Sequence, residues 1–110
     1  MGDIMNDCIF CKIVNKEIKA TVVFEDDEII AFNDINPKAD AHVLIIPKLH
    51  IVNMLKLKEH HINLIGQLMF KTNQIALSLG LAGGYKININ TGKKGGEEVP
   101  HLHIHLLGNR

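Results

Sequence analysis

His101-Leu102-His103-Ile104-His105-Leu106-Leu107, near the end of the 110-residue chain, alternates imidazole and aliphatic side chains. Period two marks a β-strand with one apolar and one polar face, so the three histidines are expected to point the same way, neighbours standing about 6.6 Å apart. Burying three titratable rings as structure alone is costly, because each needs partners for two nitrogens and their cationic forms repel. The pattern therefore reads as chemistry: acid/base groups, a nucleophile or metal ligands.

The segment upstream, Asn90-Thr91-Gly92-Lys93-Lys94-Gly95-Gly96, is a glycine-rich loop running on to Glu98. Its glycines are expected to turn backbone N–H groups toward an anion and its two lysines to add attraction, which beside imidazoles favours phosphate. Before it, Gly83-Gly84 marks a turn and Tyr85 to Asn90 alternates as a strand. From about Glu59 to Leu79, Ile62, Ile65, Met69, Ala76 and Leu79 recur at helical spacing, widened by Leu64, Leu68 and Ile75, and Gly80 closes the helix. His42 to Pro47 is an apolar strand, central and covered on both sides. Thr21–Glu25 and Glu28–Asn33 form a hairpin around the turn Asp26-Asp27, and Asp34 to Asp40 is loop. Ile9, Phe10, Ile13 and Val14 share one side of a short helix that sets Cys8 and Cys11 one turn apart. The sum is one α+β domain over residues 1–110, with an antiparallel sheet of about five strands, one long helix and one or two short ones.

Lys+Arg and Asp+Glu balance at twelve each, so the basic excess of a nucleic-acid binder is missing and a small ligand is expected. Val43-Leu44-Ile45-Ile46 is far shorter than the ~20 residues that span a bilayer, and the N-terminus lacks a basic segment followed by an apolar run. Met1-Gly2 fits a myristoylation start, but Asn6 stands where Ser or Thr is wanted. A cytoplasmic protein with no membrane partner is expected, and in that compartment Cys8 and Cys11 read as metal thiolates or a redox pair. A thioredoxin-like role needs a strand before the CxxC, and none is readable there. Zinc needs two further ligands, for which His50 and one of the triad histidines are the candidates, while His60 and His61 face solvent. The alternative is a reduced, unliganded pair beside the core.

Taken together, the chain resembles the histidine-triad (HIT) family of nucleotide hydrolases and transferases, in particular its small bacterial nucleotide-binding branch. His101 to Leu107 meets the His-φ-His-φ-His-φ-φ signature in full, supported by Cys8–Ile13, Phe32–Pro37, His42–Lys48 and Asn90–Gly96. The resemblance implies a five-stranded sheet continued across a homodimer, with a purine nucleotide bound near the triad. It implies His103 as nucleophile on the α-phosphorus, His105 and His42 as supporting imidazoles, and Asn90 contacting phosphate or orienting the triad. Asp34 would accept from the ribose hydroxyls, Ile9, Phe10, Ile13, Phe32, Ile35 and Leu44 would surround the base, and Gly96 and Glu97 would complete the nucleotide site. Zinc would be held by Cys8, Cys11, His50 and His101, with all four positions filled and hence a structural role. Glu97 stands where many relatives have glutamine, and Glu98 where some have serine or threonine.

A neutral imidazole, with an ordinary pKa of ~6.5, attacks phosphorus without a separate base, provided its other nitrogen donates to a fixed acceptor such as a backbone carbonyl. The reaction expected is hydrolysis of a nucleoside phosphoramidate or adenylate through nucleotidyl-His103. Two readings compete with it: a metal-dependent phosphoester hydrolase in which His101 and His103 chelate a catalytic ion, and a nucleotide-binding or scaffold dimer without turnover.

Overall fold

The computed structural model describes residues 7–110; residues 1–6, including the Met1-Gly2 start, lie outside the described residues. The sheet is organised around the apolar run that follows Asp40. Strand β3 (Ala41–Pro47) is buried at every position and lies third in the order β1-β2-β3-β5-β4, every neighbouring pair antiparallel. Here β1 is Val22–Glu25, β2 Ile29–Asn33, β4 Lys86–Asn88 and β5 Ile104–Gly108. Helix α1 covers Ile9–Val14 and α2 covers Ile62–Ser78.

Period two divides the sheet into two faces. Ile29, Ala31, Ala41, Val43, Ile45, Ile104 and Leu106 pack with Leu68, Ile75 and Ala76 of α2. Ile30, Phe32, Leu44 and Ile46 pack on the other face with Phe10 and Ile13 of α1. His42 and His105 belong by alternation to this second face, so the large core behind α2 is the platform and the α1 face carries the imidazoles. Burying each Ile or Leu of that platform contributes roughly 1.5–3 kcal/mol, which makes it a rigid support.

Several local expectations are corrected. The hairpin turn is Asp27-Glu28, one residue later than expected, because the Asp26 carboxylate accepts from the Glu28 and Ile29 amides at 2.9 and 2.8 Å and the Asp26 amide donates to Ile29 O at 2.9 Å. On α2, Ile62 and Met69 face outward, with 66% and 44% exposure. The core stripe runs instead through Leu64, Ile65, Leu68, Thr72, Ile75, Ala76 and Leu79. Thr72 hides it from hydrophobic counting: its hydroxyl donates to Leu68 O at 2.7 Å, so a polar residue occupies a core position at no hydrogen-bonding cost. The expected strand from Tyr85 to Asn90 shortens to Lys86–Asn88. The histidine strand enters the sheet only at Ile104, since the Leu102 amide donates to Ile51 O, in the connection after β3, at 2.6 Å. No helix among the described residues is long and apolar enough to cross a membrane.

Candidate active site and metal centre

Cys8 caps α1, its Sγ accepting from the Cys11 amide at 3.4 Å, so one helical turn brings both sulfurs together. His50 arrives from the connection after β3 and His101 from the segment before β5. The four groups place Sγ and Nδ1 atoms within 4.8 Å of one another. Cys8 Sγ lies 3.4 Å and Cys11 Sγ 3.6 Å from His101 Nδ1, Cys11 Sγ lies 3.2 Å from His50 Nδ1, and the two Nδ1 atoms are 3.2 Å apart. Ligand atoms at zinc bond lengths around a tetrahedral ion stand about 3.3–3.8 Å from one another, and these separations fall at or just inside that range.

His101 is fully buried, and its Nε2–H donates to Pro47 O at 2.8 Å. Its Nδ1 therefore carries a lone pair aimed at the two sulfurs, and burial holds its pKa down to about 4, keeping the ring neutral. A carbonyl behind a ligating imidazole is the usual outer support of a metal site. The cysteines form no disulfide, and the donor set fits zinc.

His103 is the next side chain on the same face. Its Nδ1 lies 2.7 Å from the backbone oxygen of His101, which can only accept, so Nδ1 carries a proton and Nε2 is the nitrogen that offers the lone pair of the neutral tautomer. This is the carbonyl that the chemistry of a neutral nucleophile requires. Phe10 fixes the ring edge-on at 5.1 Å and holds His101 likewise at 5.9 Å, tying the metal cluster and His103 to one aromatic wedge.

His42 and His105 form a second unit. The Lys38 amide donates to His42 Nδ1 at 3.2 Å, which leaves the His42 proton on Nε2. That Nε2 lies 3.0 Å from His105 Nδ1 and 3.4 Å from Asp34 Oδ2. His105 Nδ1 is thus an acceptor and its Nε2–H a donor. Burial depresses the pKa of both rings, with Asp34 opposing the shift at each, while Lys38 adds to it at His42 and the neighbouring imidazoles add to it at His105. Asp34, His42 and His105 also lie close enough to hold an ion, but while the Lys38 amide occupies Nδ1, His42 has no lone pair to offer from Nε2.

These rings open on a cleft of about 490 Å³, bounded among others by Asp34, Lys38, His42, Asn90, Gly96, Glu98, His103 and His105. An apolar cavity of about 550 Å³ adjoins it, lined by Ile13 and Phe32, and the two share Ile9, Phe10, Asp34, Ile35 and Leu44. Every residue expected around a nucleotide lines one or both, except Glu97.

The glycine-rich loop departs most from expectation. Glu97 Oε1 accepts from Gly92 N and Asn53 Nδ2, each at 2.8 Å, so the carboxylate is turned into the loop, and these two bonds hold its pKa below the ordinary range. The amides of Gly95, Gly96 and Glu97 donate to Gly92 O, Lys93 O and Gly92 O, and Lys93 and Lys94 are exposed outside the cleft lining. Four of the loop amides therefore close the loop on itself instead of facing an anion. Asn90 Nδ2 donates to Gly95 O at 2.9 Å, bracing that loop against β4. Residues 92 and 96 have φ of +75° and +84°, so glycine is required there by backbone conformation. Lys38 was not legible as a site residue, because it acts through its main chain; Asn36, Asn88, Val99 and Leu107 complete the lining without any sequence signal.

An antiparallel α+β fold with a histidine-lined cleft beside a buried Cys/His cluster defines a histidine-triad domain. The chain belongs to the HIT family, whose domain profile matches residues 15–110. It is 51% identical over 104 residues to protein HitA of Neisseria gonorrhoeae, covering 94% of this chain and 97% of that one. Two plant relatives are the 14 kDa zinc-binding protein of Zea mays, 46% identical with 93% and 81% covered, and adenylylsulfatase HINT1 of Arabidopsis thaliana, 45% identical with 93% and 71% covered. A HIT family hydrolase from Legionella pneumophila superposes with a TM-score of 0.92 at 45% identity, covering 94% of each chain.

Proposed function

We propose that this protein is a nucleotide hydrolase or transferase acting at the α-phosphorus of purine nucleotides, cleaving nucleoside phosphoramidate or adenylate-type substrates through a covalent nucleotidyl-His103 intermediate. The observation that carries the reading is the 2.7 Å bond from His103 Nδ1 to His101 O, which assigns Nδ1 as the donor and so leaves Nε2 as the nitrogen available beside the cleft. The purine takes the apolar cavity, and Asp34, common to both spaces, accepts from the ribose. A relative named as an adenylylsulfatase agrees with chemistry at an adenylyl phosphorus.

In the first step His103 Nε2 bonds to the α-phosphorus while the bond to the leaving group breaks, its electron pair departing with that group. His105 Nε2–H donates to the phosphoryl oxygens, its neighbour His42 keeping that proton on Nε2, and the departing group takes its proton from solvent. In the second step water bonds to the phosphorus and gives its proton to solvent, the P–N electron pair returns to His103 Nε2, and the nucleoside monophosphate is released. Cys8, Cys11, His50 and His101 would hold zinc by cross-linking three segments of chain, and with four protein ligands the ion would serve structure and not activate water. The metal-dependent reading finds less support: His101 Nδ1 faces the cysteines while His103 Nδ1 is bonded to a carbonyl, so the pair does not share an ion. A homodimer is supported by β4, an edge strand with one neighbour, and by the outward face of α2, where Ile62, Met69, Phe70 and Leu77 are exposed.

The test is His103→Ala. Turnover of an adenosine phosphoramidate should fall at least about 1,000-fold while nucleotide binding survives, as for loss of a covalent nucleophile. Retained turnover, or loss of binding along with it, contradicts the proposal.

A further inference from the structure

Two neutral imidazoles that share one hydrogen bond can share it in either direction. His42 Nε2 and His105 Nδ1 stand 3.0 Å apart with one proton between them. If His42 donates, His105 keeps its own proton on Nε2, the nitrogen left to it for the cleft that it lines. If His105 donates, that nitrogen carries a lone pair instead, and the surroundings of the pair decide between the two. The loop between β2 and β3 addresses both nitrogens of the His42 ring. The Lys38 amide donates to Nδ1 at 3.2 Å, and Asp34 Oδ2 stands 3.4 Å from Nε2. The carboxylate is held in its turn: Asp34 Oδ1 accepts from the Asn36 amide at 2.8 Å, and the Asp34 amide donates to His42 O at 2.9 Å.

Were His105 the donor, His42 Nε2 would turn a lone pair toward the Asp34 carboxylate, where the two side chains are only 4% and 18% exposed and water screens little. With His42 donating, the same carboxylate faces an N–H. We infer that Asp34 is a positioning residue: its carboxylate fixes the direction of the His42–His105 hydrogen bond, so that His105 presents a donor and not a lone pair to the cleft. The inference rests on the nucleotidyl-transfer reading above and gives Asp34 a second task beside the ribose. Asparagine at this position reverses the preference. Its Oδ1 keeps the Asn36 amide while Nδ2 takes the place of Oδ2, so a donor faces His42 Nε2 and favours the lone pair there.

The experiment has two readouts on the intact chain. Long-range proton–nitrogen NMR of the ligand-free protein at pH about 8.5, two units above the ordinary imidazole value, locates the proton on each ring. The unaltered protein should show His105 protonated at Nε2, and Asp34→Asn should move that proton toward Nδ1. Asp34→Ala, which removes the anion without supplying a donor, leaves the choice to the Lys38 amide and should keep it on Nε2. The second readout is kcat for an adenosine phosphoramidate and its 2′,3′-dideoxy analogue, which lacks the hydroxyls that a ribose contact needs. Asp34→Asn should lower kcat on the dideoxy compound at least about tenfold, as for a lost donor to the phosphoryl oxygens, and more than Asp34→Ala does. A His105 proton that stays on Nε2 in Asp34→Asn, or a loss of kcat that disappears with the dideoxy compound, overturns the positioning role and leaves the enzymatic reading intact. No turnover of either compound by the unaltered protein, or turnover that survives His103→Ala, overturns both.

Discussion

Removing the metal should loosen the fold far more than it slows the chemistry. Cys8 and Cys11 at α1, His50 in the connection after β3 and His101 in the segment before β5 come together, and the unfolded chain has no such cluster, so zinc bound there would stabilise by mass action. At free zinc about 1,000-fold above its dissociation constant the gain is about 4 kcal/mol. A 110-residue chain gains about 0.23 kcal/mol per kelvin of unfolding entropy at the midpoint, so saturating chelator should lower Tm by about 18 °C. Thermal unfolding followed by circular dichroism, with zinc and with chelator, measures the shift directly. Turnover at 20 °C, where both forms stay folded, should change no more than about threefold, because a site with all its positions filled does not activate water. A Tm shift below about 3 °C, or activity lost in proportion to the ion while the fold persists, would refute the structural assignment.

Three other outcomes follow from the same geometry. Lys38→Pro, which deletes the amide that fixes the His42 proton, should reduce kcat at least tenfold more than Lys38→Ala, which keeps it; steady-state kinetics of the pair decides the point. The acid limb of the kcat–pH profile should lie below pH ~6.5, because His42 and His105 work neutral and both pKa values are depressed. In the same window the unfolded chain takes up protons that these two rings resist, so denaturant-measured stability should be full above pH ~6.5 and decline as pH falls through their folded values. Phe70→Asp, on the outward face of α2, should halve the mass seen by light scattering without unfolding the chain.

The sequence exposed the parts of this molecule whose side chains carry a pattern. Alternation over His101–Leu107 located the histidine-lined face, continuous apolar residues over His42–Pro47 located the central strand, and the spacing of Cys8 and Cys11 on a short helix located half of a candidate metal cluster. It was silent where the main chain acts, as at the Lys38 amide and the His101 carbonyl, since neither depends on the side chain at that position. It misled where a polar residue satisfies itself locally: Thr72 bonds to its own helix and rotates the apparent core stripe onto Ile62 and Met69. The glycine loop misled for the same reason, its amides closing on Gly92 O, Lys93 O and Glu97 instead of facing the cleft.

The central claim concerns one nitrogen, Nε2 of His103, and mass spectrometry of the intact protein quenched within its first turnovers with an adenosine phosphoramidate tests it most directly. The account predicts an added nucleotidyl mass that maps to His103 and is missing in His103→Ala. Turnover with no adduct at any quench time, or an adduct on another residue, would contradict it.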